Sequence, residues 1–187
     1  MRLNGGVTIH AHLRMSGNLY AIADHRMHAA NARVLLRLQG GSGIVLEDPR
    51  ALARMDAAPT EEIDAKLAEL GPEPLSADFT LEHFVGRARA SKQPAKLFLM
   101  DQKHVAGLGN IYVAEALYRA SIDPRKTLRK ARAGRLTQLH KAIVGVLSDA
   151  LQSACNAYSR PGHFEEAEFP CAVYGREGEL CARCGGT

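Results

Sequence analysis

Tryptophan is absent from this sequence, and aromatic residues of every kind make up 5% of its 187 residues. Hydrophobic residues at 46% are nonetheless enough for a packed core, and wholesale disorder is not expected. No apolar run approaches the length of a bilayer crossing, so no membrane partner is expected. No segment joins a charged start to an apolar middle and a small-residue cleavage site, which makes a cytoplasmic location the default. Internal repeats and low-complexity tracts are missing too. Cysteine is sparse: Cys155, Cys171, Cys181 and Cys184, the last pair in a CxxC spacing. In a cytoplasmic chain that spacing reads as metal or redox chemistry before structural disulfide. The length suits one sizeable domain or two small ones.

Acidic residues are thin in one region. Residues 79 to 150 hold 13 Lys and Arg against 5 Asp and Glu, and the remainder holds 11 against 15, within a net charge of +4. The middle of the chain carries the positive field. That suits an acidic partner, most simply nucleic acid, or else a solvated helical surface.

Residues 7 to 48 read as strands. "VTIHAHL" alternates Val7, Ile9 and Ala11 with Thr8, His10 and His12, and "NARVLLRL" and "GIVLED" follow around the turn "QGGSG". This is too little for a whole sandwich. A short helix is predicted over 61–70, capped by Thr60, with Ile63, Leu67 and Leu70 as its apolar face and Gly71-Pro72 as its stop. "GPEPLS" reads as a linker. Helices are predicted over about 80–90, up to about Asp101, over 110–120, and over about 134–154, the last with Leu136, Leu139, Ile143, Leu147, Ala150 and Leu151 on one face. The final thirty or so residues have the turns and short β signals of a small metal-held hairpin.

The stretch "DQKHVAGLGNIYVAEAL", Asp101 to Leu117, sets Gly107 and Gly109 before a helix start. Glycines allow a ligand close approach, and the free N–H groups and macrodipole of a helix start favour an anion. Asn110 is a suitable cap whose amide could donate to a phosphate, and Lys96, Lys103 and His104 add cationic or donor groups. By spacing alone, a plain helical corner with glycines for tight packing has the edge.

Three stretches decide between these readings. "LGPEPLSADF", "KLFLMDQKHVAGLGNIYVAEALYRASIDP" and "YGREGELCARCGG", with "HLRMSGNL" and "LEDPR" upstream in the right order, resemble the formamidopyrimidine-DNA glycosylase family, related to endonuclease VIII. "AGLGNIY" is more similar to the formamidopyrimidine branch. The resemblance implies an α+β protein. Its expected parts are a partial N-terminal β-sandwich-like domain of the catalytic type (1–75), a helix–two-turn–helix DNA-binding domain (76–155) and a truncated zinc-finger segment (156–187).

The family excises oxidised bases from duplex DNA, flipping the damaged nucleotide out of the stack, and cuts the strand at the abasic site. Carried over residue by residue, the resemblance gives phosphate contacts to Lys96 and Asn110, beside Gly107 and Gly109, and assigns the filling of the emptied stack to Met15, Arg50 and Leu52. Leu52 stands where the family has Phe and offers less stacking surface, and Arg14 stands where it usually has Gly. Cys181 and Cys184 match the first half of the family's four-cysteine zinc site, so zinc is the implied cofactor with half its ligands. The segment "SACNAYS" is shorter than the family loop that helps cover the flipped base.

The family's nucleophile is the amine of an N-terminal proline, followed by a glutamate that moves protons. This sequence opens Met1-Arg2-Leu3-Asn4. A family lysine expected shortly before "HLRMSG" has no counterpart either. The leading expectation is a DNA-repair-related, monomeric protein that binds damaged or abasic duplex DNA through the phosphate clamp without the usual glycosylase and AP-lyase chemistry, so no catalytic residue is assigned. One alternative is an active glycosylase and lyase that uses a lysine, Lys96 or Lys92, or an upstream Pro-Glu start. Another is an RNA- or ribosome-binding protein. A decayed chain that does not fold cooperatively is the last.

Overall fold

A computed structural model of the chain describes residues 1–27, 30–157 and 169–186. It divides into two compact units, Met1–Ala68 and Glu69–Thr187.

The first unit carries five strands and a helix: β1 (Val7–His12), β2 (Asn18–Ile22), β3 (Ala32–Arg37), β4 (Gly43–Glu47), β5 (Arg54–Pro59) and α1 (Thr60–Leu67). Strands β1 and β5 pair antiparallel, Val7 opposite Pro59 and His12 opposite Arg54. A second antiparallel sheet has the order β2-β4-β3, with an irregularity between Ala32 and Val34. The central strand β4 is covered on both faces, since the consecutive residues Val45 and Leu46 are both buried. Ahead of β1, the Met1 amine donates to the Ile9 carbonyl at 2.7 Å and the Ile9 N–H returns a bond to Met1 at 2.8 Å.

Two strands, β2 and β5, are not announced by alternation, and in β1 the alternation misleads. Thr8 is buried while Val7 is exposed. The reason is a polar pair: the Thr8 and Thr60 hydroxyls meet at 2.9 Å. Thr60 is thereby the first residue of α1 rather than its cap, which falls on Pro59 without a side-chain bond. Of the predicted apolar face, Ile63 is buried, whereas Leu67 and Leu70 are exposed.

The second unit is helical: α2 (Leu81–Ala90), α3 (Ala95–Met100), α4 (Asn110–Arg119) and α5 (Ala133–Ala157). The Thr80 hydroxyl caps α2 by accepting the His83 N–H at 3.1 Å. Phe84, Phe98 and Leu99 pack against Val113 of α4 and against Leu136, Leu139, Ile143 and Val146 of α5. Burial of side chains of this size contributes roughly 1.5–3 kcal/mol each. The α5 residues follow helical spacing, yet Leu151 is exposed and does not belong to the buried stripe. Residues 169–186 form turns and no strand, so the predicted hairpin is absent from the described part of this segment. The end of "SACNAYS" lies outside the described residues, as do residues 160–168. Among the described residues no helix is long and apolar enough to cross a membrane.

Candidate nucleic-acid interface

Helix α3 ends at Met100 with Asp101 as its cap, and the chain turns through residues 102–109 into α4. Val105, Ala106 and Leu108 point into the core and fasten this turn from below. Gln102 braces it from within. Its side-chain amide donates to the carbonyls of Met100 (3.1 Å) and Leu108 (2.9 Å), and its side-chain oxygen accepts the Gly107 N–H (2.8 Å). The segment read as a linker forms a wall of the turn, because Gly71 N–H donates to the Gln102 carbonyl and Ala106 N–H donates to the Pro72 carbonyl.

The two glycines of the turn are not there for packing. A Cβ at either Gly107 or Gly109 would meet nothing within 4 Å. Gly107 has φ +76°, a conformation that favours glycine, while Gly109 is extended and simply leaves the backbone bare. Gly109 is also the N-cap of α4, with no side-chain cap, and Asn110 is the first helical residue. The predicted capping role of Asn110 therefore fails, and its amide is exposed at the helix start. The two helix starts differ in what they leave open. The first N–H groups of α3 are taken, Ala95 by the Lys126 carbonyl (2.9 Å) and Lys96 by that of Pro124 (3.1 Å). At α4 no described group accepts from Asn110, Ile111 or Tyr112, so the anion-favouring end is the open one.

The nearby cations also sort themselves. Lys103 is paired with Glu69 at 3.0 Å. His104 stacks on Phe98 at 4.5 Å and meets the Arg87 guanidinium at 2.9 Å. Burial, and then the Arg87 charge, push its pKa below the ordinary value, against a smaller opposing effect of Asp101. His104 is thus a neutral acceptor rather than a cationic contact. Among the described residues no ion pair engages Lys96, which borders a cleft of about 440 Å³ together with Tyr118, Ser121, Val173 and Arg183.

In the first unit a single buried side chain organises the other candidate residues. Asp48 is fully buried. It accepts from the Ser16 hydroxyl (2.5 Å) and from the N–H groups of Arg50 (3.2 Å), Leu52 (2.6 Å) and Ala53 (2.7 Å). These bonds, the Ser16 one foremost, hold its carboxyl down at about 2. The Arg50 guanidinium also donates to Ser16 Oγ at 3.2 Å. The loop of Met15 and the loop of Arg50 and Leu52 are therefore tied together, and all three side chains remain exposed, Met15 at 79%. Arg14 adopts φ +56°, so the turn keeps a glycine-like conformation without a glycine. Gly17 could not be replaced, since a Cβ there would lie 2.4 Å from the Leu13 carbonyl.

The last described segment docks on α4. Buried Glu115 accepts the N–H groups of Ala172 (2.9 Å), Val173 (2.9 Å) and Tyr174 (3.0 Å). Arg183 lies 4.0 Å over the Tyr118 ring and donates to Ser121 Oγ at 2.7 Å. Cys181 and Cys184 share one turn, closed by Cys181 N–H to Gly186 (2.7 Å) and Gly185 N–H to Cys181 (2.8 Å). Backbone N–H groups of Arg183 and Cys184, with the Cys184 thiol, lower the Cys181 thiol to about 7. A closed structural zinc site takes four ligands, and among the described residues no group of three or more His, Cys, Asp or Glu side chains is gathered. Cys155 and Cys171 do not complete the set. The donors described here are half of what zinc needs.

Residues 70–159 match the family described as the formamidopyrimidine-DNA glycosylase H2TH domain. The formamidopyrimidine-DNA glycosylase of Ruegeria sp. (strain TM1040) is 38% identical over 99% of this chain and 70% of its own length. That of Syntrophotalea carbinolica is 37% identical over 93% of this chain and 66% of its own. Among solved structures, Lactococcus lactis Fpg in complex with DNA containing an abasic site superimposes with TM-score 0.80 at 28% identity, covering 96% of this chain and 68% of that one.

Proposed function

The chain belongs to the formamidopyrimidine-DNA glycosylase family, and from that premise we propose that residues 1–187 bind duplex DNA at damaged or abasic positions and hold it without cutting it. The observation that carries this reading is the open start of α4. Among the described residues, bare glycine backbone, unclaimed N–H groups and the exposed Asn110 amide lie together where a phosphate would be favoured, and Lys96 on α3 adds a cation that no ion pair engages. Met15, Arg50 and Leu52 take the place of the flipped nucleotide. An exposed apolar wedge with a guanidinium beside it suits that task, Leu52 with less stacking surface than a phenylalanine. The L. lactis relative is captured on abasic-site DNA, which supports the same class of ligand here. The Met1 amine of these residues is held by the Ile9 carbonyl, and no catalytic residue is assigned. Zinc would find the Cys181–Cys184 pair alone among the described residues, so no step is routed through it.

Binding of an abasic duplex across a salt series tests the reading. The logarithmic slope should be about −0.9 per phosphate neutralised, and Lys96→Ala should flatten it by about that amount for every DNA sequence alike. Asn110→Ala should weaken binding by about 1.5–3 kcal/mol, as for a hydrogen bond to a charged group. Borohydride treatment of the complex should yield no covalent adduct. An adduct that survives denaturation would replace holding by lyase chemistry, and tighter binding of structured RNA than of abasic duplex would replace the ligand.

A further inference from the structure

Between α4 and α5 the chain reads "DPRKTLRKARAGR", with Arg125, Lys126, Arg129, Lys130, Arg132 and Arg135 all exposed. Two of these are engaged locally. Arg125 pairs with Asp123 at 3.1 Å, and Arg135 donates to the Ala120 carbonyl at 3.0 Å. Among the described residues no carboxylate pairs with Arg129, Lys130 or Arg132. Arg89 of α2 brings a further cation to the same place, donating to the carbonyls of Arg129 (3.4 Å) and Ala131 (3.5 Å).

Folding does not call for this charge. Leu128 is the fully buried residue of the segment and supplies its anchor. Arg132 and Arg135 flank the start of α5, whose first turn has no acidic residue, and positive charge is disfavoured at that end of a helix. Like charges in such close succession also repel one another. The segment therefore concentrates positive charge at some expense to the fold, which points to an acidic ligand.

Its position says which ligand. The backbone of this segment is stitched to the start of α3: Pro94 bridges to Thr127, Ala95 N–H donates to Lys126, and Lys96 N–H donates to Pro124. The basic surface thus begins beside Lys96 and continues from it within the same unit. We propose that residues 126–132, with Arg89, form a second phosphate-contacting surface that grips the duplex backbone on the flank of the position held by the α4 turn. This rests on the DNA-binding reading above. The contact is electrostatic and independent of base sequence.

The test compares two abasic duplexes by fluorescence anisotropy, one just long enough to cover the lesion and one longer by about ten base pairs, a helical turn, on each side. The protein is the 187-residue chain and its triple variant Arg129→Ser, Lys130→Ser, Arg132→Ser. On the long duplex the variant should lose about tenfold in affinity, and its salt slope should flatten by about 0.9 for each cation removed. On the short duplex it should match the parent chain. Its thermal unfolding midpoint should stay level or rise, because the cations removed oppose the fold. Equal losses on both duplexes, no loss on either, or a lowered unfolding midpoint would overturn the flank contact while leaving the α4 clamp standing. Failure of the parent chain to bind even the short duplex would remove the DNA reading itself, and the flank contact with it.

Discussion

In the β unit, Asp48 collects one hydroxyl and three backbone N–H groups from two loops. In the helical unit, Glu115 collects three successive N–H groups from one segment. Both carboxylates are buried, and both hold chain that has no regular structure of its own. They differ in what they leave outside. The Asp48 loops keep Met15, Arg50 and Leu52 exposed, whereas Glu115 draws residues 172–174 down onto α4. One device presents side chains and the other stores backbone. A buried acceptor of this kind is suited to irregular chain, because it satisfies several N–H groups that no helix or sheet would serve.

The comparison can be broken first at Glu115. Glu115→Ala leaves three N–H groups without an acceptor and should destabilise the helical unit by about 3 kcal/mol or more, read by chemical denaturation. The turn ahead of α4 is fastened instead by Gln102 and by buried Val105, Ala106 and Leu108, so DNA affinity measured well below the unfolding transition should change little. A large loss there would mean that docking and presentation are one function.

Asp48 comes next, through pH. Its folded-state pKa of about 2 lies below the ordinary 3.8, so its contribution to stability is present above pH 3.8 and is lost as pH falls toward 2. Asp48→Asn should flatten the acid limb of the unfolding midpoint in that window. It should also loosen Met15 and Arg50 at neutral pH, visible as faster amide exchange at Leu52 and Ala53.

Smaller effects separate the two glycines of the turn. Gly107→Ala should cost about 1–2 kcal/mol in stability, because an alanine is forced into the left-handed region. Gly109→Ala should fold normally, since φ and space both permit it, and lose DNA affinity instead. The smallest effect lies at Arg14. Arg14→Gly should gain about 0.5 kcal/mol, relief of roughly 1–2 kcal/mol of left-handed strain being offset by roughly 0.5–1 kcal/mol of added unfolded-state freedom.

The helices and the glycine turn were legible because their signals are local. Apolar residues recur at helical spacing through Leu136, Leu139 and Ile143, and Thr80 caps just where α2 begins. The braces were not legible. Asp48 meets Ser16 across 32 residues, and Glu115 meets Val173 across 58. Neither leaves a periodic trace, since their partners are mostly backbone groups that every residue carries. Gln102 was missed for the same reason, although its bonds are short-range. Strand β5 escaped because the alternation of its segment, Arg54–Pro59, rests on Met55 and Ala57 alone and is broken by Ala58 and a terminal proline. Thr8 and Thr60 misled in the opposite way: each is polar, and each spends its polarity on the other. The family resemblance named Met15 and Arg50, and geometry added the buried carboxylate that ties their loops.

Gly71 has a practical consequence. A side chain there would meet the His104 carbonyl carbon at 2.6 Å and its oxygen at 2.7 Å, and the Gly71 and Pro72 backbone carries two of the turn's hydrogen bonds. A fragment designed to carry the turn on its own must therefore begin upstream of Gly71. One that starts at the first residue of α2 would keep every helix and lose the wall against which the turn is cast.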